Sequence, residues 1–315
     1  MSLAFVFPGQ GSQSVGMLAG LGAAEPVVRE TFAEASEVLG YDLWTLCQQG
    51  PEADLGATER TQPAMLAAGV ATWRVWIGHG GPRPTALAGH SLGEYTALVC
   101  SGALDFRTAV DLVRFRGQVR QEAVPAGQGA MAAILGLEDA DLDLACREAA
   151  QGEVVEPVNF NAPGQTVIAG HATAVARAIE AARARGAKRA VLLPVSVPSH
   201  SSLMTGAAAR LEARLATVDV RMPDIADVYT VDVRKHESPD GIRRALKEQL
   251  YKPVRWAETM RTMIGAGATI LVECGPGKVL TSLNRRIERK PELQFLALED
   301  TASVAAALAA CGGPA

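Results

Sequence analysis

The sequence predicts an α/β protein in which a large domain with a mainly parallel β-sheet is interrupted by a smaller domain. Three observations carry this. Short apolar runs are separated by longer segments of helical period, the pattern of a parallel sheet with helices on both faces. Gly89-His90-Ser91-Leu92-Gly93 stands between the apolar Thr85-Ala86-Leu87-Ala88 and the helix-forming Glu94 to Val99, and reads as strand, tight turn and helix. From about residue 128 the order changes to β-α-β-β-α-β, with two strands in direct succession.

In chain order, Leu3 to Phe7 is a buried strand: it is too short to span a membrane, lacks a basic leader and ends at Pro8-Gly9. The loop Pro8 to Gln13 has neither the Lys-Ser/Thr ending of a P-loop nor dinucleotide-binding spacing. Its backbone amides pointing into a site, or a plain turn, are the readings open to it. Helices are expected near 25–39 and 61–78, then over Asp105 to Glu122, with Asp105 as N-cap and Pro125 as stop. The inner module runs strand Ala130–Gly136, helix Asp139–Ala150, strand Val155–Phe160, strand Gln165–Gly170, helix Ala172–Arg185 and strand Lys188–Pro194. Asn161-Ala162-Pro163-Gly164 turns between its middle strands, and the order is that of a ferredoxin-like split βαβ module. Further helices are expected near 202–216, 241–250 and 255–265, and strands near 226–231 and at Ala268–Val272. After Glu273 to Gly277 comes another helix, and Ala302 to Ala310 is a terminal helix before a Gly-Gly-Pro tail. The boundaries follow: residues 1–126 and 198–315 form the large domain, and 127–197 the small one.

The composition narrows the function. With 48% hydrophobic and 20% charged residues the chain can bury a large core. A net charge of −4 argues against general nucleic-acid binding, which needs a basic surface. Five scattered cysteines without C-x-x-C spacing suit reduced core thiols, not disulfides or zinc, and a cytoplasmic location is the default.

Ser91 lies where a nucleophile elbow lifts its hydroxyl out of the sheet, and Gly89 and Gly93 let strand and helix approach closely. An ordinary helix N-cap is the plainer role open to it. A serine needs a base within hydrogen-bond reach, and the chain has five histidines. His90 neighbours the serine and points away from it, so it supports the elbow and is not the base; His79, His171 and His236 suit turns or surface. His200 follows the extended segment Leu192 to Ser199 at the expected domain seam, and is either the base or a structural histidine. No Asp or Glu between Ser91 and His200 suits a triad, so a backbone carbonyl or amide side chain is left to orient the imidazole. On the helix from Asp105, Arg116 falls inside the apolar stripe Ala109, Leu112, Val113 and Val119, with Arg114 opposite. An inward guanidinium there binds a substrate carboxylate, forms an internal salt bridge or snorkels outward.

Phe7-Pro8-Gly9-Gln10-Gly11-Ser12-Gln13, Thr61-Gln62-Pro63-Ala64, Gly89 to Glu94, Arg116, Val195 to His200 and Glu273 to Gly277 together resemble the malonyl-CoA:acyl carrier protein transacylases of bacterial fatty acid synthesis, essentially end to end. The resemblance implies an α/β-hydrolase-like large domain with an inserted ferredoxin-like domain, and ping-pong transfer of malonyl from malonyl-CoA to the phosphopantetheine thiol of acyl carrier protein. It implies Ser91 as nucleophile, His200 as base and the Gln249 backbone carbonyl as orienting group. The amides of Gln10 and Leu92 become the oxyanion hole, Arg116 the malonyl clamp and Gln62 a pocket residue. No resident cofactor or metal is implied; malonyl-CoA is substrate, and the pantetheine belongs to the partner. No nucleic acid or membrane enters. Relatives commonly carry Asn before the Val-Asp that follows the strand after the histidine, whereas Tyr229-Thr230 stand here. A serine hydrolase or thioesterase is the alternative, and a non-enzymatic docking subunit a further one. An acidic carrier protein would meet Arg185, Lys188 and Arg189, or Arg285, Arg286, Arg289 and Lys290.

Overall fold

The unbroken apolar run at the N-terminus takes the centre of a parallel sheet, where a strand is covered on both faces. In the computed structural model, which describes residues 2–225 and 227–313, the strands in chain order are β1 Ser2–Phe7, β2 Ala86–Gly89, β3 Gly129–Leu135, β4 Val155–Ala162, β5 Gln165–His171, β6 Arg189–Leu192, β7 Asp227–Tyr229, β8 Ala268–Cys274 and β9 Gln294–Leu298. The large sheet has the order β7-β2-β1-β8-β9, and all of its pairings are parallel. Ala4 to Phe7 of β1 are fully buried. One face packs Phe5 edge-on against Trp73 and Trp76 of the helix Thr58–Gly78, at 5.4 and 5.2 Å between ring centroids. The other face packs Ala4 and Val6 with Trp256, Met260 and Leu283.

The second sheet has the order β4-β5-β3-β6 and is antiparallel throughout. Its helices, Asp139–Ala150 and Ala172–Ala184, cover one face with a core of its own around Ala132, Ile134, Ile168 and Val175. Backbone bonds tie it to the rest: Phe160 N donates to Val254 O at 2.9 Å, and Val254 N to Val158 O at 2.8 Å.

Most expected elements occupy their places, including the Asp105 cap, whose carboxylate accepts from Thr108 N at 2.9 Å. The expected strand at 226–231 begins at residue 226, outside the described residues, as does the Pro314 of the tail; Asp227–Tyr229 is strand. The strand expected over Lys188–Pro194 contracts to Arg189–Leu192, since a proline has no N–H for the ladder. The helix expected from 202 opens with a 3₁₀ turn, Ser202–Met204, before Thr205–Leu215. Glu273 is buried, and its carboxylate accepts from Leu280 N and Thr281 N, at 3.0 and 2.7 Å, at the start of the helix Val279–Ile287. That gives the Glu-Cys-Gly-Pro-Gly stretch a capping role.

Candidate active site

β1 and β2 lie side by side and both end beneath the same cleft, so the loop carrying Gln10 and the turn carrying Ser91 meet at the carboxyl ends of the sheet. The turn is sharp. Ser91 has φ 52°, in the left-handed region where a side chain is strained. The flanking glycines make room for it: a Cβ on Gly89 would stand 1.8 Å from Gly93 C, and one on Gly93 2.0 Å from Phe7 O. His90 N donates to Phe7 O at 3.0 Å, which stitches the turn to β1.

His200 also sits in the left-handed region, at φ 65°. Its N–H donates to Leu250 O at 3.0 Å. Its Nδ1 donates to the backbone carbonyl of Gln249 at 2.7 Å, which leaves Nε2 to accept from the Ser91 hydroxyl at 2.8 Å. Burial holds the imidazole well below its usual pKa, and the charges of Arg120 and Arg116 add to this. The ring is therefore neutral near pH 7, as an acceptor of the serine proton must be.

Arg116 is fully buried within its apolar stripe, as the helical period places it. Its Nη1 donates to Gln62 Oε1 at 2.6 Å, and its Nη2 to Gln249 Oε1 at 2.7 Å and to Ser91 Oγ at 3.2 Å. Its guanidinium also lies 5.3 Å from the centroid of the Tyr95 ring. Of the alternatives open from sequence, snorkelling is thereby removed. Arg114 lies half-exposed, paired with Asp111 at 2.7 Å.

The serine and histidine line a cleft of about 680 Å³, walled by the first loop, by residues around Glu52 to Thr58 and by Leu193 to Val197 on the way out of the second sheet. The backbone amides of Gln10 and Leu92 donate to no backbone acceptor among the described residues. All seven residues named from the sequence thus gather in one region, by local structure or by direct hydrogen bonds. The remaining histidines are engaged elsewhere. His79 meets Glu25 at 2.7 Å, His171 Nδ1 accepts from Val154 N at 2.9 Å, and His236 meets Thr230 Oγ1 at 2.9 Å. Thr230, in the departing Tyr229-Thr230 pair, also donates to Asp232 Oδ1 at 2.8 Å, so the pair stabilises its own turn.

Several groups escaped the sequence reading. The Gln249 side chain, beyond its carbonyl, donates to Ser91 O at 2.9 Å and to Glu94 Oε2 at 2.6 Å. Glu94 is buried, which pushes its carboxyl up to about 8 against the opposing pull of Gln249 and Arg116. Asn161 escaped as the partner of His90: its Oδ1 meets His90 Nε2 at 2.8 Å, which ties the elbow that His90 supports to β4. Glu94 carried one signal, a carboxylate on a helix turn otherwise made of buried residues; the others depend on contacts between distant segments.

A hydroxyl raised on such a turn against a neutral imidazole belongs to enzymes that pass an acyl group through a serine ester. The family model for the acyl transferase domain matches residues 4–302. The malonyl CoA-acyl carrier protein transacylase of Escherichia coli (strain K12) is 57% identical over 305 residues, 97% of this chain and 98% of its own length. That of Bacillus subtilis (strain 168) is 41% identical over 307 residues, 97% of this chain and 96% of its own. The solved structure of an acyl carrier protein S-malonyltransferase from Vibrio cholerae has a TM-score of 0.94 and 56% identity, covering 98% of this chain and 100% of that one. A malonyl-transacylase solved in complex with its type II PKS acyl-carrier protein has a TM-score of 0.96 and 55% identity, with the same coverage. The chain belongs to the malonyl-CoA:acyl carrier protein transacylase family.

Proposed function

We propose that the protein transfers a malonyl group from malonyl-CoA to the phosphopantetheine thiol of an acyl carrier protein through a malonyl ester on Ser91. One observation carries the reading: the Ser91 hydroxyl is held at once by His200 Nε2, at 2.8 Å, and by the buried Arg116, at 3.2 Å. A nucleophile and a carboxylate-binding group converge on the same point.

In this mechanism His200 takes the serine proton as Ser91 Oγ attacks the thioester carbonyl. The amides of Gln10 and Leu92 receive the developing oxyanion, a role suited to donors with no backbone acceptor of their own. Collapse expels coenzyme A, which leaves as a thiol with the proton from His200. The carrier's thiol then gives its proton to His200 and attacks the ester, and the returning proton regenerates Ser91. The Gln249 carbonyl fixes the imidazole tautomer, the task an aspartate performs elsewhere. Arg116 grips the malonyl carboxylate, and Gln62 and the Gln249 amide hold Arg116 in place. The reading needs no resident cofactor.

The segment 127–197 is, on this reading, a ferredoxin-like domain inserted in an α/β-hydrolase-like domain of residues 1–126 and 198–315. Its strand order, paired helices and separate core support that division. A cytoplasmic site of action accords with the free cysteines. No helix among the described residues is long and apolar enough to cross a membrane.

The test is acyl-enzyme partitioning. Brief exposure to malonyl-CoA is expected to add one malonyl group at Ser91, read by mass spectrometry, and carrier thiol is expected to remove it faster than water does. Absence of the adduct would overturn the proposal, and dominant release of free malonate would convert it to a hydrolase.

A further inference from the structure

Arg120 lies four residues beyond Arg116 on the helix Phe106–Gln121, so the two guanidiniums leave the helix on one face. It keeps 6% exposure and lines the cleft together with Ser91 and His200. Its Nη2 donates to Ser199 Oγ, and that hydroxyl donates onward to Val197 O at 3.2 Å. The partner is therefore neutral, and a guanidinium has further N–H donors to spend. Among the described residues no carboxylate pairs with it, whereas many of the surface arginines do pair with one. Burial and the adjacent Arg116 charge both work against its own charge. A cation taken out of water without a counter-ion is costly, and the cost is recovered when an anion arrives. Arg116 has its Nη groups on Gln62, Gln249 and Ser91, so a carboxylate entering from the cleft meets a second cation that is less committed.

We propose that Arg120 is a second recognition residue for the free carboxylate of the acyl group, so that two buried guanidiniums select a carboxylated acyl thioester over a neutral one. This rests on the malonyl-transfer reading. The competing role is structural: Arg120 braces Ser199 and the His200 turn, and its charge acts on the imidazole alone. A brace, or a contact to the phosphates of coenzyme A, serves malonyl-CoA and acetyl-CoA alike. The carboxylate contact serves only the first.

The experiment compares kcat/KM for acylation of Ser91 by malonyl-CoA and by acetyl-CoA in the wild type, Arg120→Met and Arg120→Lys. Loss of a hydrogen bond to a charged group is expected to lower the malonyl-over-acetyl preference by about ten- to a hundredfold in Arg120→Met. Most of the loss falls on malonyl-CoA, and Arg120→Lys restores part of the preference. An unchanged ratio in Arg120→Met, whether both rates fall together or neither falls, overturns the proposal. If Arg120→Met does not fold, Arg120→Gln takes its place and the same ratio decides. The acid limb of the pH profile moves upward in the uncharged variants for both thioesters, because a cation that depresses His200 has gone, and so it does not mimic the change in ratio. A wild type that forms no malonyl ester would remove the transfer reading itself, whereas a wild type that does so with an unaltered variant ratio removes only the role of Arg120.

Discussion

Ser91 and His200 share a backbone conformation and reach it by different means. Both are non-glycine residues in the left-handed region, at φ 52° and 65°. The Ser91 turn is built by subtraction: Gly89 and Gly93 have no side chains where one would collide with backbone, and β1 lies against the gap. The His200 turn is built by addition. Its N–H is held by Leu250 O, Ser199 N by Val197 O at 2.8 Å, and Ser201 Oγ by Pro198 O at 2.7 Å. Strain stored at a reactive residue persists only where the surroundings over-determine it, and here steric room does this on one side and hydrogen bonds on the other. The two must also agree in position, since the serine and the imidazole meet at 2.8 Å across 109 residues of chain.

The largest effect is expected from Ser91→Ala, which keeps the turn and removes its hydroxyl. Transfer should fall on the order of 10⁴- to 10⁶-fold with the fold intact by circular dichroism. A variant that retained appreciable malonyl transfer would dissolve the comparison, because the strained turn would then serve nothing. Gly93→Ala attacks the steric side. A Cβ 2.0 Å from Phe7 O, a backbone atom at the end of the central strand, cannot be accommodated by rotating a side chain, so a loss of about 3 kcal/mol or more in urea unfolding is expected. Gln249→Ala keeps the carbonyl that orients His200 while removing the amide that steadies Arg116 and Ser91 O. Transfer of malonyl should drop about ten- to a hundredfold, with acetyl transfer less affected. Equal loss for both would place the side chain's role at the elbow instead.

The histidine side has a pH signature. His200 is held well below 6.5, so the acid limb of kcat/KM should lie below pH 6.5; a limb at or above that value would contradict a buried, neutral base. The sign for stability follows from the same shift. The unfolded imidazole binds its proton near the ordinary value and the folded one only at lower pH, so this group's contribution to stability is lost as the pH falls below 6.5. Ser201→Ala gives the smallest change, about 1 kcal/mol, because one hydrogen bond of several on the His200 turn is removed. A loss comparable to that of Gly93→Ala would mean that the two turns are equally brittle.

Much of this was legible before the structure, and the exceptions share a cause. The α/β class, the order of elements and the Asp105 cap rest on local periodicity and capping chemistry, which neighbouring residues decide among themselves. Strand β9 was not anticipated: it is an edge strand whose apolar run, Phe295 to Leu298, is only four residues long, and periodicity cannot assign so short a run to strand or helix. The short helices Ala19–Ala24, Leu43–Gln49 and Glu52–Gly56 were too brief to show a period. At the site, the elbow announced itself because glycines leave a mark in the sequence, and Arg116 because a charge interrupts an apolar stripe. The Gln249 carbonyl came from family resemblance alone, since every residue has a carbonyl and nothing local distinguishes this one.

The sequence by itself therefore determined the α/β class, the tight turn at Ser91 and the place of Arg116 on an apolar helical stripe, all properties of turns and helical faces a few residues long. Only the tertiary structure decided that Gln249 serves through both carbonyl and amide, that Glu94 lies against it, and that Arg120 is buried in the cleft wall beside a neutral serine. Those facts depend on where separate segments meet, and for a charge the meeting decides everything: the same guanidinium is unremarkable beside a carboxylate in water, and becomes a recognition element when the packing brings it no anion of its own.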